Sequence, residues 1–340
     1  MNLEENGGVK GSDDVVKKKM MPPAKRTRRL LIVKKLSCFR SSDYGYPTVE
    51  KVDADGNVDM ESAAADKRHS PTHLVVMVNG LIGSAKNWRF AAKQFLNKYP
   101  NDLIVHCSKC NSALATLDGV DVMGARLADE VISVIQRHPN LHKISFIGHS
   151  LGGLIARYAV AKLYTQDCTN QSCEGNGNYI SQEKLEKSVT EVNFCSKHNS
   201  NGKIGGLEPI NFITIATPHL GSRGHRQVPM FCGIRILERL GYHTSGVLKR
   251  TGRHVYLKDK IDGQPPLLVQ MANDTEDLKF ISALQSFKRR VAYANVLSDH
   301  LVGWSTSSIR YRSELPKVNT PWMNSDGADV IQHMVDNFFV

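Results

Sequence analysis

Residues 143–160, Lys-Ile-Ser-Phe-Ile-Gly-His-Ser-Leu-Gly-Gly-Leu-Ile-Ala-Arg-Tyr-Ala-Val, constrain this chain more than any other stretch. Residues 143–147 are a short apolar run suited to a buried strand, and residues 151–164 repeat apolar side chains at helical spacing without a proline. Between them stands Gly148-His149-Ser150-Leu151-Gly152, the G-x-S-x-G pattern in a strand-turn-helix setting. Such a turn holds its serine in strained backbone geometry and lifts the hydroxyl above the end of the sheet. The two glycines follow from sterics, because a Cβ at either position would collide across so sharp a bend. The competing reading is a plain glycine-rich strand-helix turn with no chemistry.

The flanking chain repeats the strand-helix alternation. Residues 73–79 (His-Leu-Val-Val-Met-Val-Asn) read as a buried strand, 88–99 as an amphipathic helix and 102–106 as the next strand. Residues 120–138 read as a longer helix, with Val122, Leu127, Val131 and Val134 or Ile135 on one face. This order predicts an α/β fold with a mostly parallel central sheet, helices on both faces, and ligands bound beyond the carboxyl ends of the strands. Further on, 165–208 is a polar insertion, 210–216 a strand, and 227–250 a cap-like segment mixing Met230, Phe231, Ile234 and Leu237 with Arg and His. Helices are expected at 265–269 and 277–290, a strand at 291–296 and a final helix at 327–338.

Residues 1–70 carry little periodicity and are expected to be a disordered basic leader, with the folded domain at 71–340. The formal net charge of +11 is concentrated there, since residues 15–40 hold ten Lys or Arg and no acid. A solvated tail, weak attraction to an anionic membrane surface, and a nuclear address at Lys25-Arg26-Thr27-Arg28-Arg29 are the three readings of this run. It has no interleaved aromatics or recognised module, so no nucleic-acid partner is expected. The first residues lack the apolar core of a signal peptide and no apolar run nears the roughly 20 residues of a membrane span, which predicts a cytoplasmic protein, at most peripheral on membranes. Seven cysteines, an odd number dispersed over 340 residues, fit free thiols better than a disulfide frame. Cys107-x-x-Cys110 lacks a second close pair, and Cys168, Cys173, Cys195 and His198 are irregularly spaced, so neither a metal nor a cofactor is expected.

A serine hydroxyl is nearly inert at neutral pH, so a histidine must take its proton and a carboxylate must hold that histidine in the right tautomer. In folds built on such an elbow these follow in the order Ser, Asp or Glu, His. Asp299, after the late strand, is the candidate acid; its competing reading is a surface-turn aspartate, and Asp262 is the second candidate. The loop Gly80-Leu81-Ile82-Gly83-Ser84 would supply one oxyanion-hole amide from Leu81, and the residue after the serine, Leu151, the other.

The segments 73–84, 110–130, 144–158, 212–226 (with Ala-Thr-Pro-His-Leu-Gly-Ser-Arg-Gly-His) and 280–310 (with Ala-Tyr-Ala-Asn-Val-Leu-Ser-Asp-His-Leu-Val-Gly-Trp) together resemble the lipase-like putative serine esterase family, in particular its plant group. The resemblance implies an α/β-hydrolase fold and hydrolysis of carboxylic esters, acyl lipids above all. It matches Ser150 to the family's nucleophile and Asp299 to its D-x-x-V acid. The likeness departs at the C-terminus. Family members continue after an Arg-Ser-Glu-Leu-Pro-Lys stretch with a longer segment that adds a last strand and a histidine, whereas here only residues 318–325 precede the final helix. After Asp299 the remaining histidines are His300 and His333. His300 adjoins Asp299, and neighbouring side chains in an extended loop diverge, so it would need Asp262 as its acid. His333 falls in a helical pattern, yet it is the base assigned here, with His300 as the alternative. The sheet is thus expected to lack its last strand and histidine loop. Two functions follow: a serine hydrolase acting on acyl esters, or a catalytically crippled hydrolase fold serving lipid binding or protein interaction.

Overall fold

The computed structural model describes residues 48–52, 58–62, 70–166, 202–222, 248–261, 263–296, 299, 301–316 and 327–339. The basic run at 15–40, most of the insertion, most of the cap-like segment, Asp262 and His300 lie outside the described residues. In chain order the elements are β1 (Thr48–Val52), β2 (Val58–Ser62), β3 (His73–Val78), α1 (Arg89–Lys98), β4 (Leu103–Cys107), α2 (Val120–Arg137), β5 (Lys143–His149) and α3 (Leu151–Leu163). They continue with β6 (Tyr164–Thr165), β7 (Lys203–Ile204), β8 (Glu208–Ile215), α4 (Lys249–Val255), α5 (Leu267–Gln270), α6 (Phe280–Gln285), β9 (Arg289–Tyr293), α7 (Trp304–Ser308) and α8 (Gly327–Asp336).

Seven strands form one sheet in the order β1-β2-β4-β3-β5-β8-β9. From β4 to β9 every pairing is parallel, while β1 and β2 add antiparallel. The central strands are buried along almost their whole length and mostly apolar because both faces are covered. One face packs against α2, α3 and α6 through Met123, Leu127, Leu154, Ile155 and Phe280. The other takes α1 and α8, with Phe95, Leu96, Ile331, Met334 and Phe338. On α2 the buried stripe is Val120, Met123, Leu127, Val131 and Val134, so Val122 is only half-buried and the stripe is set by Val120 and Met123.

The fold begins earlier than the sequence suggests. Residues 48–52 and 58–62, expected in the leader, form β1 and β2 on the sheet edge, and Asp59 and Met60 are buried. What holds β2 there is a charged cluster. Asp59 Oδ1 lies 2.6 Å from His106 Nδ1, and Asp59 Oδ2 accepts from Arg137 Nη2 at 2.9 Å and from His138 Nε2 at 3.0 Å. On the other side of the ring, His106 Nε2 stands 3.3 Å from Glu130, off the hydrogen-bonding line. The Glu130 carboxylate also accepts from Ser108 Oγ at 2.6 Å and the Lys109 amide at 2.9 Å. Burial disfavours the imidazolium of His106, but the two carboxylates outweigh it and hold the group up at about 9. Burial likewise opposes ionisation of Asp59, and the His106, His138 and Arg137 donors overcome it, holding this carboxyl below its ordinary range.

A test follows from removing one partner. Asp59→Asn is expected to lower folding stability by about 3–5 kcal/mol in urea titrations at neutral pH, because it removes the carboxylate that bonds His106, Arg137 and His138 and leaves Glu130 as the remaining counter-charge of a buried imidazolium. With its folded-state pKa above the ordinary 6.5, His106 contributes stability that is complete below 6.5 and lost as pH rises through about 9. The depressed Asp59 contributes above the ordinary carboxylate range and fails only in strong acid. Wild type should therefore weaken more steeply than Asp59→Asn between neutral pH and pH 10; parallel pH curves would refute the assignment.

At the opposite edge, the described sheet ends with β9. Among the described residues no strand follows it, and Arg290 and Ala292 face solvent. The strand starts two residues earlier than the expected 291, because an edge strand tolerates Arg289 and Arg290. From α8, Asn337 and Phe338 return to the sheet, where their carbonyls accept from Arg289 and from Asn211 Nδ2, the latter at 3.0 Å.

Candidate active site

Ser150 ends β5 and opens α3 with φ 54° and ψ −127°, a region that L side chains rarely enter and that costs of order 1–3 kcal/mol. Packing enforces it. A Cβ on Gly148 would lie 2.6 Å from the Cα of Gly153, and one on Gly152 would lie 2.2 Å from the carbonyl oxygen of Val78. A Cβ on Gly80 would lie 2.8 Å from the Cβ of Ser150 itself. The elbow is thus pressed against the end of β3 and the loop after it, and the Ser150 amide donates to the carbonyl of Ile215 at 2.8 Å.

That loop is fixed from below. Asn79 Nδ2 donates to the carbonyls of Gly80 at 3.2 Å and Asn111 at 2.9 Å, and the Ile82 amide donates to Thr116 Oγ1 at 2.9 Å. The Leu81 and Leu151 amides have no hydrogen-bond partner among the described residues, and neither has the Ser150 hydroxyl. Ser150, Leu151 after it and the Gly80-Leu81 loop packed on the elbow thus lie at the carboxyl end of the central strands.

Asp299 lies a few residues beyond β9. Its Oδ1 accepts from the amides of Leu301 and Val302, both at 2.9 Å, and its Oδ2 accepts from Asn295 Nδ2 at 3.1 Å. Its charge reaches His149, the residue before the elbow serine. Burial pushes that imidazole down to about 4, with Asp299 acting in the opposite sense, so His149 is neutral at physiological pH. The sequence reading gave His149 no role. Its place inside the elbow motif was the available signal.

His333 is not brought to these groups. It sits exposed on α8 with Nδ1 at 2.9 Å from the hydroxyl of Tyr293, at the end of β9. β8 stands between that position and Ser150, which makes two strand spacings, roughly 10 Å. The Asp299 oxygens are occupied by Asn295, Leu301 and Val302 rather than by His333. An adjacent helix tolerates a histidine at an exposed position for reasons unrelated to proton transfer, and the apolar-polar pattern of α8 could not reveal this. Among the described residues no group of three or more His, Cys, Asp or Glu could hold a metal ion, and Cys107 and Cys110 are free thiols.

Residues 68–309 match the family described as putative serine esterase (DUF676). The chain belongs to this family. The matched region includes Leu81, the Ser150 elbow and Asp299, and it ends before α8 and His333. Putative lipase ROG1 of Saccharomyces cerevisiae is 29% identical over 243 residues, which make up 70% of this chain and 29% of that protein. Putative lipase YDL109C of the same yeast is 27% identical over 244 residues, 71% of this chain and 30% of the relative. The chain thus spans less than a third of the length of these curated relatives. Bacillus licheniformis lipase BlEst2 in its mature form superposes with a TM-score of 0.38 and 15% identity, covering 70% of each chain. The parallel sheet, its antiparallel β2 and the elbow after β5 make this an α/β-hydrolase fold. No helix among the described residues is long and apolar enough to cross a membrane.

Proposed function

We propose that this member of the serine esterase family cleaves carboxylic esters of acyl lipids through the Ser150 hydroxyl, and that it does so slowly. The observation that carries the reading is the strained backbone of Ser150, forced by glycines on three sides, at the sheet end where substrates of this fold bind. In this reading Ser150 attacks the acyl carbon, the Leu81 and Leu151 amides receive the developing oxyanion, and Asp299 is the acid of the triad. In this reading neither His333 nor His300 serves as a base in concert with Ser150, which is what makes the reaction slow. A second reading, a crippled hydrolase fold that binds lipid or a protein partner, is favoured by one observation: His333 is engaged by Tyr293 across the sheet from Ser150. Contact of the basic run 15–40 with anionic membranes fits either reading.

The test is labelling with an excess of an alkyl fluorophosphonate. A single adduct should form on Ser150 over hours and be absent from Ser150→Ala. Unchanged labelling of the alanine variant would remove Ser150 from the reaction, and an unreactive wild type would favour the second reading.

A further inference from the structure

A cavity of about 530 Å³ opens against β8 and β9 on the face that carries α3 and α6. Its wall includes Leu220, Leu257, Leu268, Leu284 and Ile309. Neither Ser150 nor the oxyanion-loop residues line it, so it is separate from the site described above. Its polar end is Arg157 of α3, a buried residue whose guanidinium donates to the Met271 carbonyl at 2.8 Å and reaches His219 Nδ1 at 3.5 Å. Arginine can only donate, so His219 Nδ1 accepts and its Nε2–H is left to donate to Thr214 Oγ1 at 2.9 Å. His219 is therefore neutral. No carboxylate pairs with Arg157 among the described residues, and burial alone depresses its pKa, to about 10. The other cation in the wall, Arg290, is exposed and donates to the carbonyls of Leu284, Gln285 and Phe287.

A buried cation with no counter-charge is costly, and an apolar cavity of this size falls within the range of small-molecule sites. The two features are complementary to one ligand chemistry: an anionic head on a long apolar tail. We propose that this cavity binds a long-chain fatty acid, its carboxylate on Arg157 and its acyl chain along the leucine-rich wall. Guanidinium-carboxylate bonding would supply head-group selectivity and the wall would supply most of the affinity. The proposal does not depend on Ser150 being a nucleophile.

The experiment is calorimetric titration of the delipidated full chain with oleate and with oleyl alcohol, which share a tail and differ in charge. Wild type and Ser150→Ala should both bind oleate about 10- to 100-fold more tightly than the alcohol, the range of a hydrogen-bonded charge. Arg157→Met should bring oleate to the level of the alcohol and leave the alcohol unchanged. Ala292→Trp, which fills the cavity from the exposed edge strand, should weaken both ligands at least about tenfold. Equal binding of acid and alcohol by wild type would overturn the proposal, as would an unchanged preference in Arg157→Met. If Arg157→Met does not fold, unaltered binding by Ala292→Trp overturns it independently.

Discussion

Replacing Gly152 by alanine is expected to lower folding stability by at least about 3 kcal/mol, because the new methyl has nowhere to go. It would stand 2.2 Å from the carbonyl oxygen of Val78 and 2.8 Å from that of Asn79, and both atoms belong to backbone at the end of a fully buried central strand. A flexible side chain could swing away. A strand paired in parallel on both sides cannot, so the strain would pass into the β3–β5 pairing and the elbow together. Gly206→Ala provides the control: its φ of +82° strains any L residue, but no atom lies within 4 Å of the added Cβ. That variant should lose only about 1–2 kcal/mol, the cost of a left-handed conformation alone. Urea titrations of the two side by side measure the steric part by difference. A Gly152→Ala protein as stable as Gly206→Ala would mean that helix α3 is not seated against β3 as described.

The same contrast between local and long-range determinants explains what could be read from the sequence. β3, β5, β8, α1 and α2 lie within a residue or two of their expected bounds, because a strand covered on both faces is mostly apolar and a helix covered on one face shows its stripe. The turns that carry Ser150, Leu151 and Leu81 were legible for the same reason, being only a few residues long. β1 and β2 were not. Their sequences, Thr-Val-Glu-Lys-Val and Val-Asp-Met-Glu-Ser, read as solvated chain. Asp59 becomes a buried residue only through His106, Arg137 and His138, 47 to 79 positions away. No local pattern encodes that. The Arg157 cavity was hidden likewise, since it exists only where α3, β8, β9 and the segment around Ile309 converge. The fate of the proton acceptor belongs to this class too, for it depends on which strand end the last helix reaches.

Hydrolysis of a short-chain p-nitrophenyl ester by the wild type is expected to run about 10³- to 10⁴-fold above water, the level left by an oxyanion hole and substrate binding without a working triad. A complete triad adds up to roughly 10⁶-fold more, and it needs a histidine held between the serine and a carboxylate. His333 meets neither condition: its Nδ1 is bound to Tyr293 and its ring is exposed on α8, across β8 from the elbow. His300 directly follows Asp299 in the sequence, and neighbouring side chains along an extended segment diverge, so Asp299 is not its expected partner. His149 is neutral, and a neutral imidazole beside the serine would be a chemically suitable base. It stands immediately before Ser150 in the turn, with Gly80 packed against it, whereas the base of this fold follows the acid in chain order. Measured kcat/KM should accordingly change by less than about threefold in His333→Ala and in His300→Ala, a shift small beside the loss that follows removal of a base acting in concert with its nucleophile. Fast turnover abolished by either substitution would show that a full triad assembles after all, and with it that the proposed slow hydrolysis is wrong.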